Sequence, residues 1–213
     1  MATSSKGRRS FTLLELLVVV SIIAILLALL LPAIAAARRQ AKISEARTDI
    51  KNIQAAIRAY YNEYGKLPVQ ASEQGGVGAN GCDGYYGEGG GGTNGDSGIF
   101  QYEIIDILRA SNDTINVQNK FNPRQIVFLE IPNRANATIN SGTLQGTFLD
   151  PWGNPYFIKL DNTGDGFVGY YNGSDCAGVG GFATIAVIVS YGPNGIQENP
   201  LQGRSDDICS FQQ

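Results

Sequence analysis

The 213-residue sequence contains no histidine and few charged residues. Without histidine, the chain lacks both the usual general base of hydrolytic enzymes and the commonest protein ligand of transition metals. Charged residues make up 16% of the chain and the net charge is −3, so no basic surface points to a nucleic acid as partner. No carboxylate pair or nucleophile has a recognisable catalytic spacing, and the sequence therefore predicts a protein that is not an enzyme.

Cysteine is also scarce, with three widely separated residues, Cys82, Cys176 and Cys209. This number and spacing exclude a CxxC metal or redox site and a disulfide-rich scaffold. One structural disulfide with one remaining thiol is the plainest interpretation, and Cys176 with Cys209 is the pair that we expect if the domain is exported. Three unpaired small residues are the alternative.

Apolar residues, by contrast, are concentrated near the N-terminus. Residues 1–10 carry three basic side chains, and residues 11–37 form a 27-residue apolar stretch whose only charge is Glu15. The apolar region of a secretory signal is shorter and ends at a small-residue cleavage site, whereas about 20 apolar residues suffice for a membrane-spanning helix. We therefore predict one membrane span, with its basic N-terminal side in the cytoplasm.

Two residues within this span require an explanation. A carboxylate in hydrocarbon costs about 2.5 to 3.5 kcal/mol at mid-bilayer, so Glu15 either reaches back to the headgroups or has a partner. Pro32 removes the backbone hydrogen bond to Ala28, which predicts a kink or local melting, although membrane helices also tolerate proline.

Beyond the span, residues 38–64 continue the helix in amphipathic form. Spacings of three and four predict an apolar stripe of Ile43, Ala46, Ile50, Ile53, Ile57, Tyr60 and Tyr64. The opposite face is expected to be solvated and contains Lys42, Glu45, Asp49, Lys51, Gln54 and Arg58. Because the stripe lasts only about three heptads, it favours packing beneath a β-sheet over a coiled coil. Gly65 and Pro68 predict the end of the helix, which we expect to span residues 11–64.

Residues 65–213 are predicted to form a globular domain. Half of residues 75–98 are glycine, which indicates a long surface loop. A short helix is expected at residues 102–110, and strands at residues 146–149, 155–159, 166–171 and 182–190. The segment DNTGDG (161–166) predicts a strand-connecting turn, since no glutamate follows at EF-hand spacing. A long helix followed by short strands indicates an α+β fold.

The N-terminal residues 8–15, RRSFTLLE, followed by an apolar helix, resemble the leader cleavage site of type IV prepilins and type II secretion pseudopilins. The resemblance implies that prepilin peptidase cuts after Ser10 and that Phe11 becomes the N-methylated mature terminus. Glu15 would then neutralise the terminal amine of a neighbouring subunit, and the helix would loosen near Pro32 in the filament. The family usually has glycine at the position of Ser10, which implies slower cleavage here.

Two later segments extend the resemblance to the major pseudopilin (type G) of type II secretion. Residues 150–156, DPWGNPY, have the composition of a turn and are similar to a hairpin of that family. Residues 190–195 and 205–208, SYGPNG and SDDI, resemble a pair of segments that hold one calcium ion there. The resemblance implies Asp206 and Asp207 as calcium ligands, with Asn194 where aspartate is usual; a solvated loop is the alternative.

The resemblance implies a pilin-like α+β fold, in which one long N-terminal helix packs against a small antiparallel β-sheet. It implies a structural subunit of a type II secretion pseudopilus, anchored in the inner membrane with its C-terminal domain in the periplasm. The implied partners are further copies of the chain, prepilin peptidase, the inner-membrane assembly platform, minor pseudopilins and membrane lipid before assembly. A type IV pilin serving adhesion, motility or DNA uptake is one alternative. A membrane-tethered monomeric periplasmic binding module is the other.

Overall fold

One helix, α1 (Leu13–Tyr64), accounts for most of the first 64 residues. The computed structural model of the chain describes residues 12–69, 84–86, 101–112, 114–132, 136–139, 144–168, 181–196 and 206–211. These residues divide between two compact units, Met1–Ala41 and Lys42–Gln213. The second half of α1 thus belongs to the same unit as the rest of the chain.

Helix α1 ends where the sequence predicts. Gly65 has a φ of 65°, and its N–H donates to the carbonyl of Tyr61 at 2.8 Å, which closes the last turn. The helix is continuous through Pro32. Its loosening near this residue on assembly stays a prediction.

The first unit exposes its apolar side chains. An 18-residue window of α1 has a mean hydropathy of 3.1, and none of it is buried. By length and composition, this part of the helix is able to cross a membrane.

In the second unit, α1 provides one side of the hydrophobic core. The predicted stripe is confirmed, with five fully buried members: Ala46, Ile50, Ile53, Ile57 and Tyr60. The prediction for Asp49 was wrong, because this residue is only 4% exposed and accepts a hydrogen bond from the hydroxyl of Tyr156 at 3.0 Å. A buried carboxylate needs such a partner, and this one is 107 residues away in the sequence.

The core lies between α1, a second helix and an antiparallel sheet. Helix α2 (Gln101–Leu108) confirms the predicted short helix. The main sheet has the order β1-β4-β5-β6, formed by β1 (Gly84–Tyr86), β4 (Phe157–Leu160), β5 (Ala186–Ser190) and β6 (Ile208–Cys209). A two-stranded sheet contains β2 (Asn136–Ile139) and β3 (Leu144–Phe148). This arrangement confirms the α+β, pilin-like fold class.

The strand predictions were only partly correct. β3, β4 and β5 overlap predicted strands, whereas β1, β2 and β6 were not predicted. Within the described part of the predicted strand 166–171, only an isolated bridge from Val168 to Phe182 forms. The predicted loop 75–98 contains β1, and its other residues lie outside the described ones.

The segment after α2 packs against the end of α1. The hydroxyl of Tyr60 donates to the carbonyl of Phe121 at 2.6 Å, and that of Tyr64 donates to Oδ1 of Asn122 at 2.7 Å. Burial, together with the neighbouring Tyr64, raises the pKa of Tyr60, so its hydroxyl stays protonated. The ring of Phe128 contacts both tyrosines edge-on. Residues 121–128 thus hold the C-terminal turns of α1 in place.

Candidate functional site

The N-terminus of α1 is closed by a reciprocal pair, Thr12 and Glu15. The backbone N–H and the hydroxyl of Thr12 both donate to Oε2 of Glu15 at 2.9 Å. In return, the N–H of Glu15 donates to the hydroxyl oxygen of Thr12 at 3.2 Å. This is a capping box, and the T-x-x-E spacing of residues 12–15 is its signal in the sequence.

The capping box explains how an apolar helix tolerates Glu15. Because hydrocarbon offers no water to the first N–H groups of a helix, these groups need partners within the protein. Glu15 supplies one, and among the described residues no group binds its second carboxylate oxygen, Oε1. Ser10 and Phe11, the predicted cleavage and methylation residues, lie outside the described residues.

A second cluster forms around Asp150, in the predicted turn. Its Oδ1 accepts the backbone N–H groups of Trp152 at 2.9 Å and Asn154 at 2.8 Å. Its Oδ2 accepts the hydroxyl of Ser190, at the end of β5, at 2.6 Å. Asp150 is only 4% exposed. One buried carboxylate therefore shapes the turn and also fastens it to the C-terminal loop.

The loop after β5 is held by the same turn and is closely packed. The hydroxyl oxygen of Ser190 accepts the N–H of Gly192 at 3.2 Å, and the side-chain amide of Asn154 donates to the Gly192 carbonyl at 2.9 Å. Gly192 has a φ of 64°, and a Cβ there would lie 2.6 Å from the carbonyl oxygen of Asp206. Only glycine fits this position. The two segments that carry the pseudopilin resemblance thus meet at one place.

The three residues expected to bind calcium lie in or near this loop. Gly192 and Asn194 belong to one 3-10 turn, and the backbone and carboxyl carbon of Asp206 approach Gly192. Asp207 is only 5% exposed, whereas Asn194 is exposed and its Oδ1 accepts the N–H of Ile196 at 2.7 Å. Carboxylate and amide oxygens are ligands that calcium prefers.

No three Asp, Glu, His or Cys side chains among the described residues are grouped so that they could hold a metal ion. A cation at the loop would therefore need the amide oxygen of Asn194 and backbone carbonyls in addition to the two carboxylates.

Cys209 lies buried in β6 beside Val187 and Val189, but Cys82 and Cys176 lie outside the described residues, so the Cys176–Cys209 pair stays a prediction.

The turn at residues 161–166 is confirmed, because the carboxylate of Asp161 accepts N–H groups from Gly164 at 2.7 Å and Gly166 at 2.9 Å.

A family model matches the N-terminal part of the chain. Residues 5–31 match the family model described as "Prokaryotic N-terminal methylation motif". No curated protein and no solved structure matches the chain. Proteins with this motif are structural subunits that prepilin peptidase processes and that assemble into filaments, and together with the apolar helix the motif indicates membrane anchoring. The motif therefore supports a pilin-like protein, that is, a type IV pilin-like or pseudopilin subunit.

Proposed function

We propose that the chain is the major-pseudopilin-like subunit of a type II secretion pseudopilus. It is inserted in the inner membrane with its N-terminus in the cytoplasm, cleaved by prepilin peptidase, and polymerised into a filament that drives protein export. The observation that carries this proposal is the methylation motif at residues 5–31, which includes most of the exposed apolar half of α1.

The apolar half of α1 supports polymerisation. Its large side chains find no cover within the described chain, and Leu13, Leu29 and Leu31 are 64% exposed or more. Lipid covers such a surface before assembly, and the same surface of other copies covers it afterwards. Because one end of each subunit differs from the other, repeated head-to-tail contacts build a filament.

The cluster around Asp150 supports the secretion pseudopilus over a surface pilus. It joins the DPWGNPY turn to the SYGPNG loop, and these are the two segments that resemble the type II secretion subunit. Deleting the gene tests the choice. We expect exported enzymes to remain in the cell, with surface pili unchanged. Loss of surface pili with normal export would instead assign the chain to the type IV pilins.

Cross-linking distinguishes a filament subunit from a membrane-tethered monomeric binding module. Single cysteines placed on exposed positions of the apolar helix should give a ladder of oligomers in native membranes. A monomeric module would give no ladder, even though its N-terminus would insert in the same way.

The processing step gives a direct prediction. Mass spectrometry of the native protein should find Phe11 as the N-terminal residue, carrying one methyl group. Without the peptidase, the chain should retain residues 1–10 and its full mass. Substituting Ser10→Gly should speed cleavage, since glycine is usual there in the family that the leader resembles. A native protein that retains Met1 would contradict the proposal.

We also propose one calcium ion at the loop, held by Asp206, Asp207 and Asn194. The close approach of Asp206 to the Gly192–Asn194 turn and the oxygen chemistry of all three side chains support it. Such an ion would tie the last strand, β6, to the loop after β5.

Chelation tests the calcium proposal. Removing calcium from the detergent-solubilised chain should lower its melting temperature, and returning calcium should restore it, because an ion that binds only the folded state stabilises it. Asp207→Asn should abolish this response. Asp165→Asn, in an exposed turn, is the matched control. An unchanged melting temperature after chelation would remove the ion from the proposal.

A further inference from the structure

Within the second unit, α1 contacts different segments at its two ends. Near the C-terminus of the helix, the hydroxyl of Tyr60 donates to the carbonyl of Phe121. Near the start of the unit, Nζ of Lys42 lies 6.0 Å from the ring centroid of Trp152. At 1.5 Å per residue, these two contacts are about 27 Å apart along the helix. The turn at residues 150–156 therefore lies at one end of the unit, which we call the Lys42 end.

The Lys42 end exposes apolar side chains. Trp152 packs against the edge of the core and is only partly buried. Ile196, in the loop after β5, is 63% exposed, and outside the apolar half of α1 no large hydrophobic side chain among the described residues is more exposed. The neighbouring Gly195 places this loop against the turn, since a Cβ there would lie 3.0 Å from Oδ1 of Asn154. Trp152 and Ile196 thus belong to two segments that meet at this end.

The chain length between the membrane span and the Lys42 end limits their separation. The apolar stretch at residues 11–37 ends five residues before Lys42. Five residues of α-helix rise by about 8 Å, and even a fully extended chain of that length reaches only about 18 Å. The headgroup layer on each side of the hydrocarbon is itself about 5 to 7 Å thick. When residues 11–37 span the bilayer, Lys42 therefore lies within or next to the headgroups.

The residue types at this end are those that favour a membrane interface. Tryptophan rings are enriched at the headgroup level, where one part of the ring is apolar and the other is hydrated. Anionic headgroups attract basic side chains, and the apolar stretch is followed by Arg38, Arg39 and Lys42. In the turn and near the loop, Asp150 and Asp207 are buried and so do not present their charge to the lipid.

We propose that the Lys42 end of the second unit docks on phospholipid headgroups before the subunit assembles. Trp152 and Ile196 enter the layer between headgroups and acyl chains, and Lys42 contacts lipid phosphates. This inference rests on the membrane insertion in the proposed function and not on polymerisation. Docking fixes the orientation of the folded unit on the membrane, and it has to be released when the subunit leaves the lipid.

Tryptophan fluorescence tests the docking directly. Trp152 is the only tryptophan of the chain, so its emission reports on this site alone. The full chain is reconstituted at low density in vesicles of phosphatidylcholine and phosphatidylglycerol. Phospholipids brominated near the headgroup should quench Trp152 more strongly than phospholipids brominated near the ends of their acyl chains, because the ring lies at the interface.

Substitutions at the Lys42 end should weaken the docking. Lys42→Glu and Ile196→Asp should each lower the ratio of docked to undocked units, measured from the quenching, by at least about fivefold. The matched controls are Lys120→Glu and Val127→Asp, at the other end of the unit. Lys120 is exposed and also lies over an aromatic ring, that of Phe121, at 5.2 Å, and Val127 is 57% exposed. Both controls should leave the quenching unchanged, and all four variants should keep the wild-type melting temperature in detergent.

The outcomes separate the docking from the insertion. No quenching by brominated lipid, in a chain that resists alkaline extraction from the vesicles, would overturn the docking and leave the insertion intact. Quenching that is the same in Lys42→Glu, Ile196→Asp and the wild type would also overturn it. Quenching that appears only at high protein density would assign this surface to a second copy of the chain instead of lipid. If alkali extracts the wild-type chain, the proposed function itself fails.

Discussion

Substituting Glu15→Ala should leave the chain inserted in the membrane but unassembled. In the proposed filament, the Oε1 atom of Glu15 accepts the terminal amine of Phe11 from a neighbouring copy. Without the carboxylate, that ammonium group enters an apolar helix bundle unpaired, at a cost of about 3 kcal/mol per contact. Such a cost lowers the association constant of each contact by about a hundredfold. The measurement is the yield of sheared filaments relative to the amount of inserted subunit.

The capping box makes a sharper comparison possible. Alanine removes both the charge of Glu15 and its hydrogen bonds to Thr12, so Glu15→Ala alone cannot separate the two roles. Glutamine also serves at this position of a capping box, so Glu15→Gln keeps the cap and removes only the charge. Thr12→Val keeps the charge and loses the hydroxyl, at a cost of about 1 kcal/mol to the helix end.

The two control variants should therefore behave in opposite ways. Glu15→Gln should fail to assemble like Glu15→Ala, whereas Thr12→Val should form filaments. Normal filaments from Glu15→Gln would show that the carboxylate acts only as a helix cap. This result would contradict the proposed charge-neutralising role. Leader cleavage should be measured on the same samples, so that a processing defect is not taken for an assembly defect.

Features encoded by neighbouring residues were predicted well from the sequence. The buried stripe of α1 follows from helical periodicity, and its end follows from Gly65 and Pro68. Both are local signals. The capping box is equally local, and the spacing of Thr12 and Glu15 is sufficient to predict it.

Features that depend on distant partners were not predictable. Asp49 looks like part of a solvated helix face, yet it is buried and accepts a hydrogen bond from Tyr156, 107 residues away in the sequence. β1 is three residues long within a glycine-rich stretch, and it forms because Gly84–Tyr86 pairs with β4. The same holds for the candidate site, since the sequence indicates the turn and the loop separately while Asp150 and Ser190, which join them, are 40 residues apart.

Substituting Asp150→Ala should strongly destabilise the folded unit that contains it. It removes the acceptor of two backbone N–H groups and of the Ser190 hydroxyl in a site that is almost fully buried. Hydrogen bonds to charged groups contribute more than neutral ones, and buried donors left without an acceptor are costly. We expect a decrease in the free energy of unfolding of about 3 to 4 kcal/mol, which corresponds to about 10 °C in melting temperature.

The matched control is Asp165→Ala. Asp165 also accepts a backbone N–H, from Phe167 at 2.9 Å, but it lies in an exposed turn. Its removal should change the free energy of unfolding by no more than about 0.5 kcal/mol. If both variants lose the same small amount, Asp150 is not the residue that joins the turn to the loop.

The same variant connects stability to the proposed ion. Asp150 holds Ser190, Ser190 holds Gly192, and Gly192 lies against Asp206, so the geometry of the proposed calcium ligands depends on Asp150 without requiring it to bind the ion. Asp150→Ala should therefore lower the stability of the protein, and it should also reduce the additional stabilisation that added calcium provides. Asp207→Asn should abolish the calcium response while leaving the turn intact. An Asp150→Ala variant that is destabilised yet keeps the full calcium response would place the ion elsewhere.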